Sequence, residues 1–270
     1  MSLLRLIAKL EIKGNNVVKP VRFEGLRVMG KPAELAAKYA QNADELLYID
    51  TVASLYGRNQ LEPLLEETVQ DVFVPICVGG GVQSIADVRR LLRAGADKIA
   101  INTAAIKRPQ LIKEITDRVG SQAIVVSIEA KRREGGWEAY TDNGRERTGK
   151  DAVRWAFEAV ELGAGEILLT SVDSDGTRKG FDLELIKQIA PQVPIPVTVC
   201  GGMGSIEDAR LALNAGGHAI ACASVLHYGK LTMKDIQDGL APERQLRHKA
   251  CGSAGSAYFG PEGRVSQEGA

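Results

Sequence analysis

The segment PICVGGGVQSIADVRRLLRAGADKIAINT, residues 75–103, returns without a gap 121 residues later as PVTVCGGMGSIEDARLALNAGGHAIACAS, residues 196–224. Pro75 answers Pro196, Gly80 and Gly81 answer Gly201 and Gly202, and Ser84, Asp87 and Gly95 answer Ser205, Asp208 and Gly216. Each copy reads as a strand, a glycine turn, an amphipathic helix and a second strand. Two copies of one βαβ unit at a fixed offset imply two related halves of about 120 residues each. Such halves predict a closed (β/α)8 barrel of parallel strands, with a doubly wound sheet as the rival.

The chain's 270 residues suit one barrel domain with a large core. Aromatic residues are only 5%, so that core has to be aliphatic, as parallel strands buried on both faces require. The 34 basic and 34 acidic residues cancel, which argues against a general nucleic-acid binder and leaves room for a local anion site. Cys77, Cys200, Cys222 and Cys251 have no CxxC spacing, and three of them lie in or beside apolar strands. They read as buried thiols of a reducing compartment. No signal peptide or membrane span is apparent, so the expectation is a cytoplasmic protein.

Read in order, strands fall at Leu6–Glu11, Glu45–Asp50, Val72–Val78, Asp97–Asn102, Ala123–Glu129, Gly165–Ser171, Ile195–Val199 and His218–Cys222. Helices fill the intervals, with Ser84 and Ser205 as N-caps; Asp87 three residues on makes a weaker relative of the capping box. Lys13–Gly30 has no clean period and reads as a long binding loop or a surface hairpin. Residues 132–148, with a strand-like run between glycine turns, read as a β-hairpin over one end of the barrel. The barrel is thus expected over residues 1–240. Residues 241–270, rich in Gly, Ser and Ala at their end, are expected to be a partly flexible extension.

In a parallel barrel the loops after the strands converge on one mouth. Glu11 and Glu129 end the first and fifth strands, so they face each other across it and suit a general acid and general base. As plain surface carboxylates they would pair with Lys9, Lys131 or Arg132. Gly80-Gly81 and Gly201-Gly202 end the third and seventh strands, where backbone N–H groups and a following helix favour phosphate. Asn102-Thr103 adjoins the first glycine turn and Ala223-Ser224 the second, which makes two phosphate cups and predicts a substrate with a phosphate at each end. Asp50 and the Asp175-Gly176-Thr177 turn lie beside these cups. Lys19 is either a phosphate clamp or a solvated lysine. At the opposite end Arg5, Glu45, Lys98 and Glu166 begin strands; inward-pointing charges there are costly unless paired, so they predict a neutral ring. That ring is either purely stabilising or a gate for something entering from below. The histidines show no HxH or HExxH spacing, and neither a P-loop nor a dinucleotide fingerprint is present. No metal and no cofactor is expected.

The segments LIAKLEIKGNNVVK, ADELLYID, VPICVGGGVQSIADVRRLLRAGADKIAINTAA, VVSIEAKR, GAGEILLTSVDSDGT and CGGMGSIEDA resemble the cyclase subunit of imidazole glycerol phosphate synthase. The resemblance implies a (β/α)8 barrel paired with a glutaminase subunit at its N-terminal face. Ammonia released there crosses the barrel and reacts with a bis-phosphate ribulosyl intermediate of histidine synthesis. The products are imidazole glycerol phosphate and aminoimidazole carboxamide ribotide. It implies gate roles for Arg5, Glu45, Lys98 and Glu166. Three departures stand out: the family's catalytic aspartates fall on Glu11 and Glu129; the first loop reads Lys19-Pro20 and Gly30-Lys31-Pro32 where the family usually has a lysine followed by glycine and an aspartate before the helix proline; and the second loop reads VASLYGRN where the family usually has a shorter ITAS-type start. A misplacement near 1 Å costs on the order of 100-fold in rate. These departures also resemble a paralogous branch that uses glutaminase-derived ammonia to aminate or amidinate a nucleotide-linked sugar for surface polysaccharide. A non-catalytic partner of the glutaminase and a related isomerase are the remaining readings.

Overall fold

The computed structural model describes residues 3–53 and 61–246. Its strands are β1 (Arg5–Lys13), β2 (Asn16–Val21), β3 (Glu24–Gly30), β4 (Glu45–Asp50), β5 (Ile76–Gly79), β6 (Lys98–Ile101), β7 (Ile124–Arg133), β8 (Gly136–Thr141), β9 (Glu146–Asp151), β10 (Glu166–Ser171), β11 (Val197–Cys200) and β12 (Ala219–Cys222). Eight of them pair in parallel in the order β1-β4-β5-β6-β7-β10-β11-β12, and β12 pairs back onto β1. The sheet is therefore a closed (β/α)8 barrel, and the doubly wound alternative is excluded. The helices around it include α1 (Pro32–Ala40), α2 (Leu61–Thr68), α3 (Ile85–Arg93), α4 (Thr103–Lys107), α5 (Gln110–Val119), α6 (Ala152–Glu161), α7 (Leu183–Ile189), α8 (Ile206–Asn214), α9 (Ser224–His227) and α10 (Met233–Gly239).

The period of two along β1 sorts its side chains onto two faces. Leu6, Ala8, Leu10 and Ile12 join the outer core between strands and helices, while Ile7 joins Leu47, Cys77, Ala100, Val125, Leu168 and Cys200 inside the barrel. Arg5, Lys9 and Glu11 share the inward register of Ile7, so one strand lines the barrel from base to mouth with charge at three levels. Trp155 is fully buried in the outer core.

The sequence repeat is a structural repeat. Ser84 caps α3 and Ser205 caps α8, each accepting the N–H of the aspartate three residues on while that aspartate accepts the serine's N–H. Both boxes are complete, not the weaker form that aspartate's short side chain suggested. Lys13–Gly30 is an ordered pair of strands: β1 runs on past the barrel and pairs antiparallel with β2, and β2 with β3. The second half does the same, β7 pairing with β8 and β8 with β9. The hairpin expected near 132–148 is therefore present and longer, ending at Asp151, which caps α6. The third barrel strand begins at Ile76, not Val72, because Val72 N–H still bonds Thr68 O and Pro75 has no N–H to give a ladder.

Arg244 makes a two-pronged ion pair with Asp44 at 2.8 and 2.9 Å, tying the start of the C-terminal extension to the barrel. The remainder of the extension, with Cys251 and His248, and most of the VASLYGRN loop lie outside the described residues. Among the described residues, no helix is long and apolar enough to cross a membrane.

Candidate active site

Each mouth glutamate sits where a barrel strand continues into its antiparallel extension. Glu11 is opposite Val18 of β2 and Glu129 opposite Tyr140 of β8. Their surroundings differ. Glu11 is 1% exposed and held by two ammonium groups, Lys19 at 2.6 Å and Lys9 at 3.1 Å. Burial pushes its carboxyl up, but Lys19 and Lys9 outweigh burial and hold it at about 2. Among the described residues Glu129 has no such partner. Its Oε2 accepts the Gly144 N–H at 2.7 Å, and burial raises its carboxyl to about 7 against that hydrogen bond and the more distant Lys9 charge. At neutral pH one carboxylate is fixed as an anion and the other exchanges its proton.

A cavity of about 310 Å³ opens at the mouth. It brings Glu129 and Ser127 of the second half together with Asp50, Gly80, Gly81, Asn102 and Thr103 of the first. The Asp50 carboxylate accepts the N–H groups of Val52 and Ala53 at 3.0 and 2.9 Å and so shapes the turn it ends. A Cβ on Gly80, whose φ is +103°, would overlap the Asp50 carbonyl, so close packing demands glycine there whatever the ligand. Asn102 Nδ2 donates to Tyr140 O, whereas Asn102 Oδ1 and Asn143 Nδ2 are buried without a hydrogen-bond partner among the described residues.

The second cup gathers Asp175, Gly176, Gly201, Gly202, Ala223 and Ser224 around a space of only about 10 Å³. Ser224 Oγ is buried there without a partner among the described residues. The β2–β3 hairpin lies against this cup: Arg22 N–H donates to Asp175 O at 2.8 Å, and Gly176 packs on Pro20 and Val21. Lys19, 1% exposed, bridges Glu11 and Asp175, the latter at 2.8 Å. Thr177 turns its hydroxyl to Ser174 O rather than into the cup. Neither Glu11 nor Lys19 lines the open cavity.

At the base, Arg5 donates to Glu45 at 2.6 Å and Glu166 at 2.7 Å, and Lys98 to the same two at 2.8 and 3.0 Å. The four close the barrel floor as a neutral ring. Thr198 adds a hydroxyl to Glu166. Ile7, Leu47, Cys77, Val125 and Leu168 line a small void of about 10 Å³ next to Glu45, Glu166 and Thr198.

Sequence reasoning missed Ser127, Asn143, Lys107 and Arg108, all of which line the mouth cavity. The inward period of β7 pointed to Ser127 two residues before Glu129. Asn143 comes from the hairpin turn and left no such signal.

Residues 5–232 match the family described as "Histidine biosynthesis protein". The chain belongs to that family. It is similar to proteins named "Imidazole glycerol phosphate synthase subunit HisF" in several bacteria. The Legionella pneumophila relative is 61% identical over 210 residues, covering 77% of this chain and 99% of that protein. Those of Nocardioides sp. and Thermobifida fusca are 47% and 48% identical, covering 88% and 87% of this chain and 96% and 94% of theirs. Within the family the chain is of the cyclase-subunit type, a lyase of a glutamine amidotransferase system. The surface-sugar reading finds no support in these names.

The Glu129 environment makes a stability prediction. A carboxyl whose folded value is raised from 4.5 to about 7 stabilises the fold below about 4.5 and loses that contribution as pH rises through 7. Glu129→Gln is therefore expected to be more stable than the parent at pH 8.5 by about 1–3 kcal/mol, allowing for water in the cavity, and no more stable at pH 5. Chemical denaturation at the two pH values reads the difference.

Proposed function

We propose that the chain is an ammonia-dependent cyclase subunit. It converts a bis-phosphate ribulosyl formimino carboxamide ribotide to imidazole glycerol phosphate and aminoimidazole carboxamide ribotide in histidine biosynthesis. The observation that carries this is the meeting of a proton-exchanging carboxyl, Glu129, with the Gly80-Gly81 and Asn102-Thr103 turns in one cavity. Ammonia attacks the substrate's carbonyl carbon, and Glu129 carries two protons in turn from the attacking nitrogen to the carbonyl oxygen, which leaves as water, so that an imine remains. That nitrogen then bonds to the formimino carbon, and the bond from this carbon to the carboxamide ribotide breaks, the ribotide leaving as the protonated amine while the ring loses a proton. Glu11 stays ionised and stabilises the positive charge that develops on nitrogen. One phosphate occupies the turn of Gly80, Gly81, Asn102 and Thr103 beside Asp50. The other occupies Gly176, Thr177, Gly201, Gly202, Ala223 and Ser224 beside Asp175, with Lys19 as its clamp. The unpartnered Asn102 Oδ1, Asn143 Nδ2 and Ser224 Oγ supply polar groups for the substrate. The buried thiols of Cys77, Cys200 and Cys222 fit a cytoplasmic setting.

A glutaminase subunit docks at the base, and Arg5, Glu45, Lys98 and Glu166 gate the entry of its ammonia. Arg5→Ala leaves both glutamates paired with Lys98. It is expected to lower glutamine-driven turnover by about tenfold in the complex and to leave ammonium-driven turnover within about threefold. Equal losses in both assays would make the ring a structural floor.

The test of the reaction is incubation of the purified chain with the bis-phosphate precursor and an ammonium salt. Equal amounts of the two products are expected without any partner. A folded protein that leaves the precursor untouched but aminates a nucleotide-linked sugar would replace this reading with the sugar-modifying one, for which the two glutamate departures already speak.

A further inference from the structure

Lys9 is a buried charge that the reaction as described does not use. It lies on β1 in the inward register, one step below Glu11 and one above Ile7, so its ammonium stands inside the barrel and not on its surface. It is 4% exposed. Its Nζ is 3.1 Å from Glu11 Oε1 and 5.5 Å from the centre of the Phe23 ring. Asp175, Lys19, Cys200, His227 and Glu129 all lie within its electrostatic reach. Burial works against its charge, but the carboxylates of Glu11 and Asp175 keep it protonated, so it is no nucleophile toward a substrate ketone.

Glu11 thus has two cations of different kinds. Lys19 holds Oε2 but stands on the β2–β3 hairpin and is shared with Asp175, at the rim of the second cup. A phosphate entering that cup competes with both carboxylates for the Lys19 ammonium. Lys9 holds Oε1 from a barrel strand and is not itself among the residues that line the second cup, although Asp175 and Cys200 of that cup lie within its electrostatic reach. We propose that Lys9 is a positioning residue of the reaction: it anchors Glu11 from within the barrel while Lys19 turns to the substrate phosphate. The inference rests on the cyclase reading above and deepens it.

The test compares Lys9→Met and Lys9→Arg in ammonium-driven turnover of the bis-phosphate precursor between pH 6 and 9. In Lys9→Met the kcat is expected to fall about 10- to 100-fold with KM within about twofold. Lys9→Arg restores the rate, and Lys19→Met gives the opposite split, a raised KM. A folded Lys9→Met with unchanged rate, or a rate loss that only tracks lost folded protein, would overturn the inference while leaving the cyclase reading intact. If the Met variant does not fold, Lys9→Gln takes its place under the same criteria. If the parent itself does not turn over the precursor, the cyclase reading falls and the inference with it.

Discussion

Glu129→Gln is expected to lose turnover on the order of 10³-fold while its binding of the bis-phosphate precursor stays within about threefold. Glutamine fills the same volume and still accepts the Gly144 N–H, so the cavity keeps its shape. What it lacks is the exchangeable proton. The same substitution relieves a raised carboxyl and so strengthens the fold at alkaline pH, which makes it a case of stability traded against activity at one atom. Single-turnover kinetics with a separate calorimetric binding measurement distinguish the two effects. A rate within tenfold of the parent would remove Glu129 from the chemistry, and a parallel loss of binding would make it a substrate-holding group.

Glu11→Ala is expected to damage the fold as well as the reaction. It leaves Lys9 buried without its 3.1 Å partner, while Lys19 retains only Asp175. Removing one partner of a buried charge pair costs about 3–5 kcal/mol. In a barrel of this size that is a fall in Tm of roughly 10 °C. The pH dependence has the opposite sign to that of Glu129. A carboxyl held at about 2 instead of 4.5 gives stability that is present above 4.5 and drains away as pH falls toward 2. The parent's advantage over Glu11→Ala should therefore be full at pH 7 and shrink in acid. Thermal melts from pH 7 down to pH 3 read it. An equally stable Glu11→Ala at pH 7 would show that the lysine pairs add nothing net.

The half-repeat, both capped helices and the ends of the mouth strands were legible because each depends on local chemistry. A serine three residues before an aspartate, a glycine pair after an apolar run, and a period of two are all visible in one dimension. The base ring was legible for the same reason, since a charge at the start of an inward register has to be paired. The β2–β3 hairpin was not. Strand β3 is exposed along most of its length and so shows no alternation, and its partner β2 is fixed by β1 and by Asp175, far along the chain. Lys19 suffered most from this. In sequence it is a loop lysine, whereas in the fold it is sealed between carboxylates 8 and 156 positions away. The two glutamates looked equivalent by symmetry. Their difference comes from Lys9, read in sequence only as a partner for a surface carboxylate although it shares the alternation of Arg5, Ile7 and Glu11, and from Lys19, which nothing in the sequence placed.

The measurement that reaches the centre of this account is a carbon-13 NMR titration of the glutamate carboxyls in the parent, with Glu129→Gln as the assignment control. Glu129 should titrate with a midpoint near 7, and Glu11 should stay ionised down to pH 4. A Glu129 midpoint near 4.5, or two carboxyls that titrate together, would contradict the division of one fixed anion and one proton carrier.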